Sequence, residues 1–104
     1  MEKTSLTITE EENPENIKLT VKGRVDSVNA DILQLKLEEV HEKGNKNIVL
    51  NMSQVEYLCS IGIRVILKIY KDAKKAGGRL GIENPSECVK KVLYITTLNE
   101  MLLI

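Results

Sequence analysis

A strand-like run, Asn47-Ile48-Val49-Leu50-Asn51, leads through a short turn to Cys59-Ser60, and a long apolar-periodic segment follows at once. Two side chains with usable chemistry therefore stand at one expected helix start. Ser60 offers a hydroxyl, and serine there suits the N-cap, where its oxygen accepts from a free backbone N–H of the first turn. Cys59 offers a thiol, whose pKa a helix start can lower. Its neighbours Leu58 and Ile61 are apolar, which favours a buried, inert thiol.

The other reactive residue types do not assemble into a set. His41 stands alone, with no carboxylate or cysteine pattern around it, and reads as a surface histidine near a helix C-terminus. Cys88 sits among Val89, Val92 and Leu93 and reads as a small buried hydrophobe. Gly77-Gly78-Arg79 follows a helix instead of preceding one and lacks a Gly-Lys-Ser/Thr context, so it is no phosphate loop. The carboxylates are scattered. The expectation is a non-enzyme with no catalytic residues, no metal site and no cofactor.

A length of 104 residues gives one domain over 1–104 with one modest core. Lys+Arg and Asp+Glu number fifteen each, so overall charge gives no pull toward nucleic acid. With no Trp or Phe, stacking on bases is poorly supplied. No apolar run approaches the ~20 residues a membrane span needs, so no direct membrane insertion is expected. Met1-Glu2-Lys3-Thr4 lacks a signal-peptide apolar region. The two cysteines lack metal-ligand spacing, and a reduced cytoplasmic location with both thiols free follows.

The elements that must position Cys59 and Ser60 can be read in order. Leu6-Thr7-Ile8-Thr9 alternates as a half-buried strand does, Glu10 to Asn16 is a charged turn, and Ile17 to Val21 alternates again until Gly23 ends it. Asp26-Ser27-Val28-Asn29 carries helix-start chemistry. Ala30, Leu33, Leu37 and Val40 recur at helical spacing up to Lys43, with Gly44 at C′ and with Val28 and Leu35 off the stripe. Ile48-Val49-Leu50 reads as a central strand covered on both faces. The helix from Ser60 runs to Ala76 and stops at Gly77-Gly78. Leu80-Gly81-Ile82 is the next strand, parallel to the last by a crossover. Asn84-Pro85-Ser86-Glu87 reads as N-cap, N1 and N3 of a short helix, and Met101 to Ile104 as a last short strand. The expected fold is α/β: a single domain with a mixed β-sheet and packed helices, in the order ββαβαβαβ.

The helix after Ser60 is apolar over an unusually wide arc. Ile63, Ile66, Leu67, Tyr70 and Ala73 form one stripe, and Ile61, Val65, Ile69 and Ala76 a second. A one-sided surface helix needs only about 100°. Two readings stay open: both stripes are buried, or the Ile61 end meets a protein partner. Arg64, Lys68, Lys71 and Lys75 fill the remaining face, either as a solvated ridge or as a dock for an acidic surface.

The run Asn51-Met52-Ser53-Gln54-Val55-Glu56-Tyr57-Leu58-Cys59-Ser60-Ile61-Gly62-Ile63 resembles the signature of the STAS domain, as found in anti-sigma-factor antagonists. There the usual form is Asp-x-Ser-x-Val-x-aromatic-x-Asp-Ser-Ser/Thr-Gly-Leu. Gly23-Arg24-Val25-Asp26 is similar to that family's Gly-x-Leu-Asp turn, and the resemblance spans roughly Leu6 to Leu102. Cys59 and Asn51 each replace an Asp of the usual form. Many relatives continue into a further C-terminal helix, which this sequence lacks, so some apolar surface is expected to lie uncovered.

The resemblance implies a cytoplasmic anti-sigma-factor antagonist that binds an anti-sigma factor of the serine-kinase type and so frees a sigma factor. It implies that Ser60 is the phosphate acceptor, that the antagonist lets go once phosphorylated, and that a serine phosphatase resets it. It places partner binding at Asp26, Ser27, Cys59, Ile61, Gly62 and Arg64. STAS-like domains also serve as accessory subunits of membrane transport complexes and as scaffold parts of signalling complexes. A non-phosphorylated subunit of that kind is the alternative, and Cys59 favours it.

Overall fold

The structure is a computed structural model that describes residues 6–104. The opening residues, in which no leader was read, lie outside the described residues. Four strands form one sheet in the order β1-β2-β3-β4. They are β1 (Leu6–Glu12), β2 (Ile17–Val25), β3 (Asn47–Leu58) and β4 (Arg79–Glu83), and the helices are α1 (Ala30–Glu42), α2 (Ser60–Lys75), α3 (Glu87–Ile95) and α4 (Asn99–Leu102).

β1 and β2 form the expected antiparallel hairpin, but both strands are longer than their alternation suggests. The ladder runs to Glu12↔Ile17, so Glu10, Glu11 and Glu12 are strand residues and the turn shrinks to Asn13–Asn16. An edge strand tolerates such charges, because its outer side faces water. Gly23 does not end β2. It takes φ +108°, and the pairing with β3 slips on either side of Lys22-Gly23. These irregularities carry the strand on to Val25, through a conformation that glycine supplies without steric cost.

β3 differs most from expectation. No turn separates Asn51 from Cys59. The strand runs twelve residues, because its second half pairs in parallel with the far end of β2, at Gln54, Val55, Tyr57 and Leu58. Asn51 Oδ1 accepts from the N–H of Ser53 at 3.0 Å inside that strand. Nor is β3 covered on both faces. Ile48, Leu50 and Met52 are buried, while Val49 and Asn51 are only half-buried. The buried strand face shares one core with Leu33, Leu37 and Val40 of α1, Ile63, Ile66 and Ile69 of α2, and Val89 and Leu93 of α3. Lys18 Nζ and Glu83 Oε2 meet at 2.8 Å across the other, more open face.

α1 buries the stripe read from its sequence, and Gly44 takes the left-handed conformation after it. α2 ends in a Schellman motif. The N–H of Gly77 donates to Lys74 O at 3.0 Å and that of Gly78 to Ala73 O at 2.8 Å, with Gly77 at φ +85°.

β4 matches only the first half of β3, pairing Arg79–Glu83 with Asn47–Asn51. α3 takes over where β4 stops. Ser86 donates from its N–H to Met52 O at 3.1 Å and from its hydroxyl to Val55 O at 2.7 Å. Its Oγ also accepts from Val89 N at 3.2 Å, so Ser86 caps α3, not Asn84. Asn84 instead sits at φ +50°, which asparagine adopts more readily than most residues. Cys88 is half-buried, not enclosed. The order read from the sequence holds, with the closing strand reduced to one bridge, Ile82↔Leu103, after the short α4. Tyr94, Ile95, Met101 and Ile104 are exposed at this end.

Candidate functional site

β2 and β3 are parallel, so their C-terminal ends emerge side by side, with Val25 paired to Leu58. One step further the N–H of Cys59 donates to Val25 O at 3.0 Å. This bond joins the chain leaving β2 to the chain entering α2.

The chain leaving β2 is the Asp26–Asn29 turn. Asp26 Oδ1 accepts from the N–H groups of Val28 and Asn29 at 3.0 and 3.1 Å. Asn29 replies: its Oδ1 accepts from the Asp26 N–H at 3.0 Å and its Nδ2 donates to Arg24 O at 2.9 Å. Asn29 is buried, and these bonds engage both ends of its amide, as a buried polar group requires. The turn is therefore rigid. It holds Asp26 half-buried with its carboxylate engaged and leaves Ser27 exposed.

The chain entering α2 turns at Cys59, which has extended geometry (φ −88°, ψ 172°) and occupies the cap position without a side-chain capping bond. Ser60 is thus the first helical residue and not the cap expected of it. Capping geometry follows the backbone, and Cys59 is the residue still in the β conformation. Ser60 is exposed and Cys59 half-buried. Ile61 is 40% exposed. Ile63, Val65 and Ile69 are buried, so of the two open readings of the apolar arc, burial holds for its body and exposure for its Ile61 end.

Gly62 is buried, so it cannot present a contact surface as expected. A Cβ there would stand 2.7 Å from Val25 Cγ1 and 2.9 Å from Leu58 Cδ1. Its role is to let α2 sit down on the two strand ends. Asp26, Ser27, Cys59, Ser60 and Ile61 thus meet at one end of the sheet, and Arg64 stands exposed one helical turn further along.

His41 is not a free surface residue. α1 packs on α2, and His41 Nδ1 is enclosed without a hydrogen-bond partner among the described residues. Lys68 donates to Asp72 Oδ2 at 3.1 Å, a bond that raises the Lys68 pKa and lowers that of Asp72.

Arg24 and Tyr57 were missed as functional candidates. They pair across β2 and β3, and the guanidinium lies 4.6 Å from the ring centroid. Arginine and tyrosine are the residue types most often found at interface hot spots. The signal was faint, since only the strand register brings them together.

An exposed hydroxyl on the first residue of a sixteen-residue helix lies where unpaired N–H groups and the helix dipole favour an added anion. Around it stand an exposed apolar side chain, a rigid acidic turn and an arginine. This combination suits recognition by another protein, with a position where charge can be added.

The STAS domain family model matches residues 7–104. The chain is 31% identical over 91 residues to the anti-sigma-B factor antagonist of Bacillus subtilis, covering 88% of this chain and 83% of that protein. Among solved structures, an anti-sigma factor antagonist from Mycobacterium paratuberculosis superposes with a TM-score of 0.85 at 23% identity, covering 94% of this chain and 83% of that one. The unphosphorylated form of the anti-sigma factor antagonist SpoIIAA superposes at 0.80 and 19% identity, covering 93% and 86%. Bacillus SpoIIAA in its phosphorylated form superposes at 0.74 and 18% identity, covering 93% and 89%.

Proposed function

The chain belongs to the STAS domain family, and from that membership we propose that it is an anti-sigma factor antagonist whose binding is switched off by phosphorylation of Ser60. The observation that carries this reading is the placement of Ser60: exposed, first in α2, and beside both Ile61 and the Asp26–Asn29 turn. The relative solved in a phosphorylated form supports it. In the unphosphorylated state Ser27, Ser60, Ile61 and Arg64 meet the anti-sigma factor, and the antagonist occupies it in place of a sigma factor.

Phosphate adds about −1.5 to −2 charge. The helix N-terminus, with roughly half a unit of positive charge and free N–H donors, accepts that charge without unfolding. A partner packed over Ile61 would have to desolvate it, so the contact is lost while the fold survives. The kinase in this scheme is the anti-sigma factor itself, and a serine phosphatase restores the binding form. The cytoplasm is where such partners meet, and no helix of the described residues is long and apolar enough to cross a membrane.

The test is incubation with ATP and candidate anti-sigma kinases, followed by mass spectrometry and a binding titration. Phosphate on Ser60 with loss of binding supports the switch. Equal binding before and after phosphorylation refutes it. One observation favours a second reading: Cys59 supplies no charge where the family's usual form has Asp. A constitutive subunit of a signalling or transport complex would bind its partner with Ser60 unmodified, and its pull-down would return that complex with no kinase.

A further inference from the structure

The outer surface of the α1–α2 layer carries two ridges that extend beyond the site above. On α1 and the turn before it, Val28, Ile32 and Leu35 are spaced i, i+4, i+7 and are 77%, 49% and 65% exposed. Helical spacing puts Ile32 and Leu35 on one face of α1, and Val28 is exposed in the turn before it. The buried stripe of the same helix is Ala30, Leu33, Leu37 and Val40. These side chains therefore face away from the core, and no contact among the described residues accounts for them.

On α2, Ser60, Arg64 and Lys71 follow one another at i, i+4 and i+11, with Lys75 beside them, and all four are exposed. Lys68 is bound to Asp72 and lies near Glu38 and Glu42, so its charge is balanced locally. Arg64, Lys71 and Lys75 have no ion-pair partner among the described residues. Between α1 and α2, beside the cationic ridge, lies a shallow groove of ≈ 220 Å³ lined by Gln34 of α1 and by Ile61, Arg64, Val65 and Lys68 of α2. It runs on from the Ile61 end of the candidate site.

We propose that these two ridges form one docking strip for an amphipathic acidic helix of a protein partner. Its apolar residues seat on Val28, Ile32, Leu35 and Ile61, and its carboxylates face Arg64, Lys71 and Lys75. A helix fits because it can lay an apolar face over the groove at Ile61 while its flank faces the cations beside it. The acidic character follows from three unpaired cations along one flank. A nucleic acid fits poorly, because its charged backbone has nothing to place on the exposed apolar side chains.

The strip also gives the switch a second action, which rests on the reading of Ser60 above. Ser60 heads the cationic ridge one turn before Arg64. A phosphate there lies within reach of the i+4 guanidinium, and arginine–phosphate pairs are strong and bidentate. It would occupy Arg64 and repel the partner's carboxylates.

The test uses the full chain and a synthetic helical peptide with leucines at i, i+4, i+7 and glutamates along one flank. Amide chemical shifts should move at Val28, Ile32, Leu35, Ile61, Arg64 and Lys71. Leu35→Asp should weaken binding about thirtyfold or more, a hot-spot-sized loss. Arg64→Glu with Lys71→Glu should abolish binding of the glutamate peptide and permit that of a matched lysine peptide. Shifts centred instead on Tyr94, Ile95 and Ile104, or a lysine peptide that binds the unaltered chain equally well, would overturn the strip. Genetic installation of phosphoserine at position 60 separates the two levels, since no kinase is needed. Unchanged peptide affinity in that protein overturns the coupling to Ser60. A failure of every kinase to modify Ser60 would sink the proposed function but leave the peptide result standing.

Discussion

The N–H of Cys59 bonds the carbonyl oxygen of Val25 at 3.0 Å, and Gly62 lies buried over the side chain of the same valine. One residue at the end of β2 thus anchors both the cap of α2 and its first turn. The Asp26–Asn29 turn and Ser60 are held in fixed relation because each adjoins Val25. A partner that reads both surfaces meets a preorganised pair, which lowers the ordering cost of binding.

Gly62→Ala tests that anchoring. Alanine is favoured over glycine inside a helix by about 1 kcal/mol. Here the new methyl would overlap Val25 and Leu58, and overpacking costs about 1–3 kcal/mol. The variant should therefore be less stable in urea denaturation despite its better helix propensity. Combining it with Val25→Ala should cost less than the two changes summed. A stabilised Gly62→Ala protein would show that α2 can lift away freely.

Ser60 variants separate the switch from stability. Cys59 holds the cap position, so Ser60→Ala should alter stability by no more than about 0.5 kcal/mol, the range of ordinary surface changes. Ser60→Asp should gain about 0.3–1 kcal/mol from the helix dipole. Titration against the anti-sigma partner should move the other way, with Ala binding and Asp impaired. Equal binding by both would leave Ser60 without a switching role.

Asn29 holds the turn from beneath. Asn29→Ala leaves the Arg24 carbonyl and the Asp26 N–H without their partner, and each costs up to about 1–3 kcal/mol, less where water reaches it. A clear drop in thermal midpoint is expected, together with weaker partner binding through a loosened Ser27. A midpoint within a degree or so of the unaltered protein would mean that water replaces the amide.

The Glu10–Lys36 pair, at 2.6 Å, ties the edge strand to α1. Its hydrogen bond lowers the Glu10 pKa below the ordinary 4.5 and raises that of Lys36 above the ordinary 10.5. The Glu10 contribution to stability is present above pH 4.5 and lost as pH falls through the lowered folded value. The Lys36 contribution is present below pH 10.5 and lost as pH rises through the raised folded value. Glu10→Gln should flatten the acid limb of the stability profile slightly, since both groups stay in reach of solvent. An NMR titration of Glu10 with no downward displacement would contradict the pairing.

Local pattern in the sequence was enough for α1, α2 and α3, though not for the short α4, whose Met101 and Leu102 read as strand. Ala30, Leu33, Leu37 and Val40 repeat at the helical period, and their burial followed. The Gly77-Gly78 stop was equally plain, since only a residue free to adopt positive φ fits there. The spacing from Asn51 to Ile63 led to the family, because it records a strand, a helix start and a glycine at fixed separations.

Tertiary structure alone decided the rest. β3 runs through Met52–Leu58 because β2 continues past Gly23 to pair with it, and no window of either strand contains its partner. Ser60 lost the cap to Cys59 through a backbone bond to Val25, thirty-four residues away in sequence. Asn84 yielded α3 to Ser86 because the Ser86 hydroxyl could also reach the open edge of β3. Gly62 became packing instead of surface because two strand ends converge beneath it. In each case a contact distant in sequence overrode a local preference worth about 1 kcal/mol or less.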